Sequence, residues 1–338
     1  MISSWDLISL QLLAVILAHI ARCDATDHYN LSPSSRTIYP QSVYKTSSNV
    51  TYSKNNAPQE ASFRLTGPNA LVTFDFGQMV AGIPTINIEE SVCNGLPCTS
   101  LGLPSFTCGT ACYGLGVGDS ESSTYAGPAS DNSIFFTHTD GTLYVPTVQG
   151  SYTLPSKWSR GSFRYLTLSF SPNATSKTSV TVQLDHVYFN AAPKQSDLRK
   201  YSGWFQSSDD LLNKIWYAGA YTLQLCNVAA NSSIQHLDLL SSTGWSSNAQ
   251  ATGLSSTDTY LADGAKRDHN PWAGDLEVAL KSALVSMNSD NLLSLKNALK
   301  AMFVLQDPVS DYFPYAESPL RDLLKLTGGA CKFQQLGY

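Results

Sequence analysis

Between residues 61 and 192 apolar and polar positions alternate with a period of two. Val72, Phe74 and Phe76 are separated by Thr73 and Asp75, and Leu166, Leu168 and Phe170 by Thr167 and Ser169; Val180, Val182 and Leu184 repeat the pattern. Successive side chains of a strand point to opposite faces, so each run buries one face, and the Gly, Pro, Asn and Ser clusters between runs supply turns. The pattern predicts an antiparallel β-sandwich, jelly-roll-like, over residues 61–192. Residues 26–60 are rich in Ser, Asn, Thr and Tyr, keep neither period, and are expected to form an irregular lead.

After the connector Ala192-Pro193-Lys194 the period lengthens. Leu212, Ile215, Trp216, Gly219 and Leu223 share one helical face, and Ser207 followed by Asp210 has the spacing of a capping box. Two further helices are expected, at about 274–287 and 290–306, the second with Leu292, Leu295, Leu299, Met302 and Phe303 as its apolar stripe. The Ser/Thr/Gly-rich stretch 232–259 reads as a long loop, and loops of that length usually carry function. The fold class is multidomain β + α, with helical residues 198–338 that either pack on the sandwich or open a larger helical domain.

A length of 338 residues suits about two domains. With 43% hydrophobic residues, 14% charged residues and a net charge of -5, the composition is globular. It offers no basic field for phosphates, which argues against nucleic acid as a partner. Leu7 to Ala21 have the apolar length of a signal-peptide core, with Cys23-Asp24-Ala25 as a cleavage site. The stretch is shorter than the roughly 20 apolar residues a membrane span needs. Residues 1–25 are therefore read as a signal peptide, and the mature form as secreted, extracellular and without a membrane segment.

Export also suits the sequons at Asn30, Asn49, Asn173 and Asn231, and the clustering of Cys93, Cys98, Cys108 and Cys112. In an oxidising compartment those four cysteines read as two local disulfides, with three connectivities open. A zinc site would want paired CxxC ends or a nearby histidine, and the spacing supplies neither. No metal is expected, and Cys226 and Cys331 stay unassigned.

The densest chemistry lies in Asp263-Gly264-Ala265-Lys266-Arg267-Asp268-His269-Asn270-Pro271-Trp272-Ala273-Gly274-Asp275. It offers carboxylic acids to protonate a leaving oxygen and to bind hydroxyls, and an aromatic face for the apolar side of a sugar. Asp275 precedes or begins a helix, where the dipole favours its ionised form. The plainer alternatives are a helix cap for Asp275 and a surface pair for Arg267 with Asp268; the Asp spacing does not match an EF-hand.

The segment DGAKRDHNPWAGD resembles the signature of glycoside hydrolase family 78, the alpha-L-rhamnosidases, whose fungal-type members carry DGAKRD followed by W-x-G-D. GWFQSSDDLLNKIWYAGAYTLQLC, FRYLTLSF and YFPYAESP extend the resemblance over roughly residues 65–319. It implies an accessory sandwich followed by the first helices of an (α/α)6 barrel. It also implies inverting hydrolysis of terminal alpha-L-rhamnosides by a general acid and base, without a cofactor, on rhamnosylated small molecules or polysaccharides. Carried over by residue, Asp263 and Asp275 bind rhamnose hydroxyls, Arg267 orients the carboxylates, Trp272 lines the sugar site and Asp268 is the general acid. His269 and Ala273 depart from the family pattern. The family's general base is a Glu far downstream, and residues 321–338 do not resemble the family, which implies a C-terminally truncated chain whose activity is left to experiment. The alternative is a non-catalytic secreted carbohydrate-binding protein in which the sandwich is the functional unit. Nucleophile-elbow, phosphate-loop, HExxH and dinucleotide signatures are absent from the sequence.

Overall fold

The computed structural model describes residues 27–53, 57–93, 96–97, 114–129, 142–159, 161–170, 174–232, 234–235, 246–247, 254–255, 257–266, 271 and 273–304. Eleven strands, β1 (Thr37–Ile38), β2 (Ser42–Thr46), β3 (Val50–Thr51), β4 (Phe63–Thr66), β5 (Leu71–Cys93), β6 (Leu96–Pro97), β7 (Leu115–Ser120), β8 (Leu143–Val145), β9 (Gly150–Thr153), β10 (Ser162–Phe170) and β11 (Ser179–Phe189), form one antiparallel system. β5 is its spine. Its first half pairs with β2 and β10, and β10 passes the sheet on to β7 and β8; its second half pairs with β11, β9 and β6, and β11 passes it on to β4 and β1.

The two halves face each other across one apolar core. Phe63 and Leu65 from β4, with Val180, Val182 and Leu184 from β11, meet Val72 and Phe74 from β5 and Leu166 and Leu168 from β10. The Phe63 and Phe74 rings touch edge to face at 5.2 Å. The turn from one half of β5 to the other begins at a bulge, where the register with β10 jumps from Val80–Phe163 to Asp75–Tyr165. Gly77 there has φ 77°, which a side chain would resist, and its N–H donates to Asp75 Oδ1 at 2.7 Å. Arg164 donates to both oxygens of Asp75, at 2.8 and 3.0 Å, and these bonds hold the carboxyl below the usual carboxylate range.

Residues 26–60, expected to be irregular, contain β1, β2 and β3. These strands are short and mostly exposed or half-exposed, so they bond through backbone and show no apolar alternation. Arg36 ties the lead down further, with its guanidinium donating to the carbonyls of Phe189, Ala191, Ala192 and Gln195 at 2.8–3.1 Å.

Among the described residues three helices follow, α1 (Asp210–Leu225), α2 (Ala273–Ser286) and α3 (Ser289–Val304), with the two-stranded pair β12 (Asn227–Ala229) and β15 (Thr259–Leu261). A second small pair, β13 (Ile234–Gln235) and β14 (Ser246–Ser247), lies in the stretch read as a loop. The start of α1 differs from the expected capping box. Asp209 is the N-cap, accepting from Leu211 N at 2.8 Å, and Ser207 instead bonds Asp209's own backbone.

The expected apolar stripe of α1 is not its buried face. Asn213, Tyr217, Ala220, Tyr221, Gln224 and Leu225 are buried, whereas Leu212, Ile215 and Gly219 are exposed. The reason is that the buried polar groups find partners. Tyr221 Oη donates to Met79 O at 2.7 Å, docking α1 on the sandwich beside Phe189 and Leu198. Gln224 Nε2 donates to Gln195 Oε1 at 3.1 Å, and Asn291 Nδ2 to the same oxygen at 2.6 Å. Asn227 Nδ2 donates to Asn291 Oδ1 and Ser294 Oγ to Asn227 Oδ1, each at 2.7 Å, and the Ser294 hydroxyl meets that of Thr259 at 2.6 Å. A continuous buried chain of amides and hydroxyls thus joins the connector, α1, β12, β15 and α3. In α3 the buried positions are Asn291, Ser294, Leu295, Ala298 and Ala301, while Phe303 from the expected stripe is exposed. Among the described residues no helix is long and apolar enough to cross a membrane.

Candidate functional site

The segment 263–275 is launched by the β12–β15 pair. Tyr260 and Leu261 are fully buried, and Ala262 N donates to Cys226 O at 2.9 Å, so the ladder with β12 runs on to the residue before Asp263. Asp263 then lines an open groove of about 490 Å³ between α1 and α2, together with Ile215, Trp216, Leu223, Cys226 and Leu276. The Trp216 ring is held edge to face against Tyr217 at 4.7 Å and Tyr201 at 6.4 Å.

Among the described lining residues little else is reactive. Thr222 Oγ1 donates to Ala218 O at 2.9 Å, Ser282 Oγ to Val278 O at 3.2 Å and Ser286 Oγ to Ser282 O at 2.7 Å, so these hydroxyls are bound to their own helices. Cys226 is a free, buried thiol pushed up to about 12, first by burial and then by the negative charge of Asp263. Without a thiolate it is a poor nucleophile. Among the described lining residues Asp263 is the one carboxylate. The arrangement can accept hydrogen bonds from hydroxyls at Asp263 and offer an apolar wall with an indole beside it.

Of the other residues read from the sequence, Arg267, Asp268 and Trp272 lie outside the described residues. Asp275 falls in the first turn of α2, with its side chain outside the description. Cys93 ends β5, while Cys98, Cys108 and Cys112 lie outside the described residues. Among the sequons, Asn231 is exposed and Asn173 is outside the description. Asn30 donates one N–H to Arg199 O at 2.8 Å. Asn49 Nδ2 donates to both Thr66 O and Pro68 O, at 2.7 and 3.2 Å, so a glycan there would replace one of these donors. Among the described residues no three His, Cys, Asp or Glu side chains gather in a metal-binding group.

Two residues were not singled out by the sequence. Trp216 stood out only as part of a helical stripe, yet among the described residues it is the aromatic that lines the groove with Asp263. Lys266 sits inside the motif but is not at the surface where lysines belong. It is 1% exposed, and its Nζ lies 2.9 Å from Asp119 Oδ2 on β7. Composition and periodicity carry no signal for either placement.

No family model matches the sequence, and no curated protein matches it. Among solved structures the chain is similar to a rhamnosidase from Klebsiella oxytoca with rhamnose bound, at 15% identity and a TM-score of 0.46, over 82% of this chain and 45% of that one. It is also similar to a fucolectin from striped bass (Morone saxatilis) serum, at 17% identity and a TM-score of 0.24 over 43% of each chain. A fucose-binding module of Streptococcus pneumoniae matches at 13% identity and a TM-score of 0.23, over 45% of this chain and 96% of that one. The chain spans less than half the length of the rhamnosidase it matches.

Proposed function

We propose that the protein is carbohydrate-active, a glycosidase of the alpha-L-rhamnosidase type whose sugar site is built from residues 263–275 and the groove between α1 and α2. The observation that carries this reading is the placement of Asp263, the first carboxylate of the motif, on the wall of that groove beside Trp216. A carboxylate accepting from sugar hydroxyls next to an aromatic wall is what a deoxy sugar with one apolar face requires. Asp268 is assigned as the general acid, with Arg267, Trp272 and Asp275 as sugar-binding partners, on the strength of the family resemblance of the segment. Terminal rhamnosides on small molecules or polysaccharides are the substrates this reading names, and the extracellular space is the compartment.

A second reading is favoured by one fact of the groove. An inverting glycosidase needs two carboxyl groups about 6.5–9.5 Å apart, and Asp263 is the one carboxylate among the described lining residues. Rhamnose binding without turnover would then be the function. The same experiment separates the two: incubate the full chain with an aryl alpha-L-rhamnoside, and titrate it calorimetrically with rhamnose. Release of rhamnose supports the glycosidase, and binding without release supports the lectin-like reading. Asp263→Asn should weaken rhamnose binding about tenfold or more, the loss of a charged hydrogen bond. A wild-type chain that neither cleaves nor binds rhamnose overturns both.

A further inference from the structure

We propose that the Lys266–Asp119 pair is the pin by which the sandwich sets the position of the sugar-site segment, making both residues positioning residues for the site; this rests on the glycosidase reading above. Lys266 runs from the helical half of the molecule into the sandwich. Asp119 sits in register with Leu166 of β10, and its neighbours Val117 and Leu166 belong to the apolar core. Asp119 and Lys266 are 8% and 1% exposed, and the bond between them is 2.9 Å. One residue earlier, Ala265 O accepts from Ser162 N, the first residue of β10, at 2.7 Å. The segment is therefore fastened to two adjacent sandwich strands at two consecutive residues.

Consecutive fastenings of this kind fix register. A slip by one residue would present Ala265 or Arg267 to Asp119 and break the buried ion pair, or replace it with one of the wrong length and shape. Asp263 lies three residues before the pin, a chain reach of about 10 Å, and Arg267 and Asp268 follow it directly in the sequence. On the far side Pro271 and Leu276 are buried, so the helix end of the segment is anchored as well. A buried ion pair is poor evidence for stability, since apolar pairs of similar volume often do as well; its attested use is to specify one arrangement among several. That separates positioning from mere support and makes the inference testable.

The test replaces both partners by apolar residues, Lys266→Met with Asp119→Leu, in the full chain. Thermal unfolding, hydrogen exchange of peptides covering 257–276, and kcat and KM on an aryl rhamnoside are read together. Positioning expects unfolding within a few degrees of wild type, exchange over 257–276 at least tenfold faster with peptides from β5 and β11 unchanged, and kcat lower by about 100-fold, the cost of misplacing a catalytic group by about an ångström. A double variant that exchanges and turns over like wild type overturns it. Should the double variant not fold, Asp119→Glu keeps the charge pair but lengthens one arm, and a folded Asp119→Glu variant with wild-type kcat overturns the proposal equally. Ser162→Ala is the control: its hydroxyl is buried in the same seam with no hydrogen-bond partner among the described residues, and the substitution keeps the backbone N–H that bonds Ala265 O. Exchange and turnover should therefore stay at wild-type values, and faster exchange there would show that any disturbance of the seam suffices, which also overturns the pin. If wild type neither cleaves nor binds rhamnose, the glycosidase reading falls while hydrogen exchange alone still decides the pin.

Discussion

In the sandwich, Phe63, Phe74, Leu166 and Val182 meet in the core, and of their polar neighbours Thr73 and Thr167 are buried as well, bonding each other through their hydroxyls at 2.8 Å. In the helical region Gln195, Gln224, Asn227 and Asn291 lie buried, while Ile215 and Val278 are 57% and 73% exposed on the groove. The sandwich is organised chiefly by removing apolar surface from water; the helical region has an apolar cluster of its own around Tyr260, Leu276 and Leu295 and adds to it a chain of buried amides that must be satisfied in a fixed geometry. The first mechanism is non-directional and tolerant of detail; the second demands that each partner be present, because an unsatisfied buried amide costs more than the bond contributes.

The sharpest way to sharpen that contrast is a cavity in the sandwich. Phe74→Ala is expected to cost about 3–5 kcal/mol, read by denaturant unfolding. Asn291→Leu probes the other region. It withdraws a donor from Gln195 and an acceptor from Asn227 with the same heavy-atom branching, and should cost about 1–3 kcal/mol although it adds apolar surface; a stabilised variant would break the comparison.

Asp75→Asn tests one polar interaction within the sandwich. Because Arg164 depresses the Asp75 carboxyl, the folded form holds fewer protons than the unfolded one near the ordinary carboxylate value. The stabilisation is then present above about pH 4 and lost as pH falls through the depressed folded value. The variant should melt below wild type at pH 7, by about 1 kcal/mol or less, and the two melting temperatures should converge in acid. Smallest of all, Ile215→Ser should change stability by no more than about 0.5 kcal/mol. A cost matching that of Asn291→Leu would mean that the groove wall is core.

The same contrast explains what could be read in advance. Leu166, Leu168 and Phe170 are buried as their alternation implies, and so are Val180, Val182 and Leu184. β2 escaped because Ser-Val-Tyr-Lys-Thr bonds to β5 by backbone, which leaves no trace in side-chain hydropathy. On α1 the apolar stripe pointed to the wrong face, since hydropathy scores Tyr217, Tyr221 and Gln224 without knowing that Met79 O and Gln195 await them. The motif 263–275 was visible as chemistry, and Asp263 does reach the groove. That Lys266 would cross into the sandwich was not visible, because Asp119 lies far away in sequence and nothing local marks the pair.

The continuity of β5 through both halves of the sheet also governs the order in which this molecule can be built. Phe74 meets its strand partner Leu166 roughly 90 residues later in the chain, and Ile86 finds Leu184 at a similar distance. At synthesis rates of about 5–20 residues per second, the longest apolar strand leaves the ribosome about 5–20 seconds before its main neighbours exist. Such distant pairings make for slow folding, and for that interval β5 is the part of the nascent chain most in need of a chaperone.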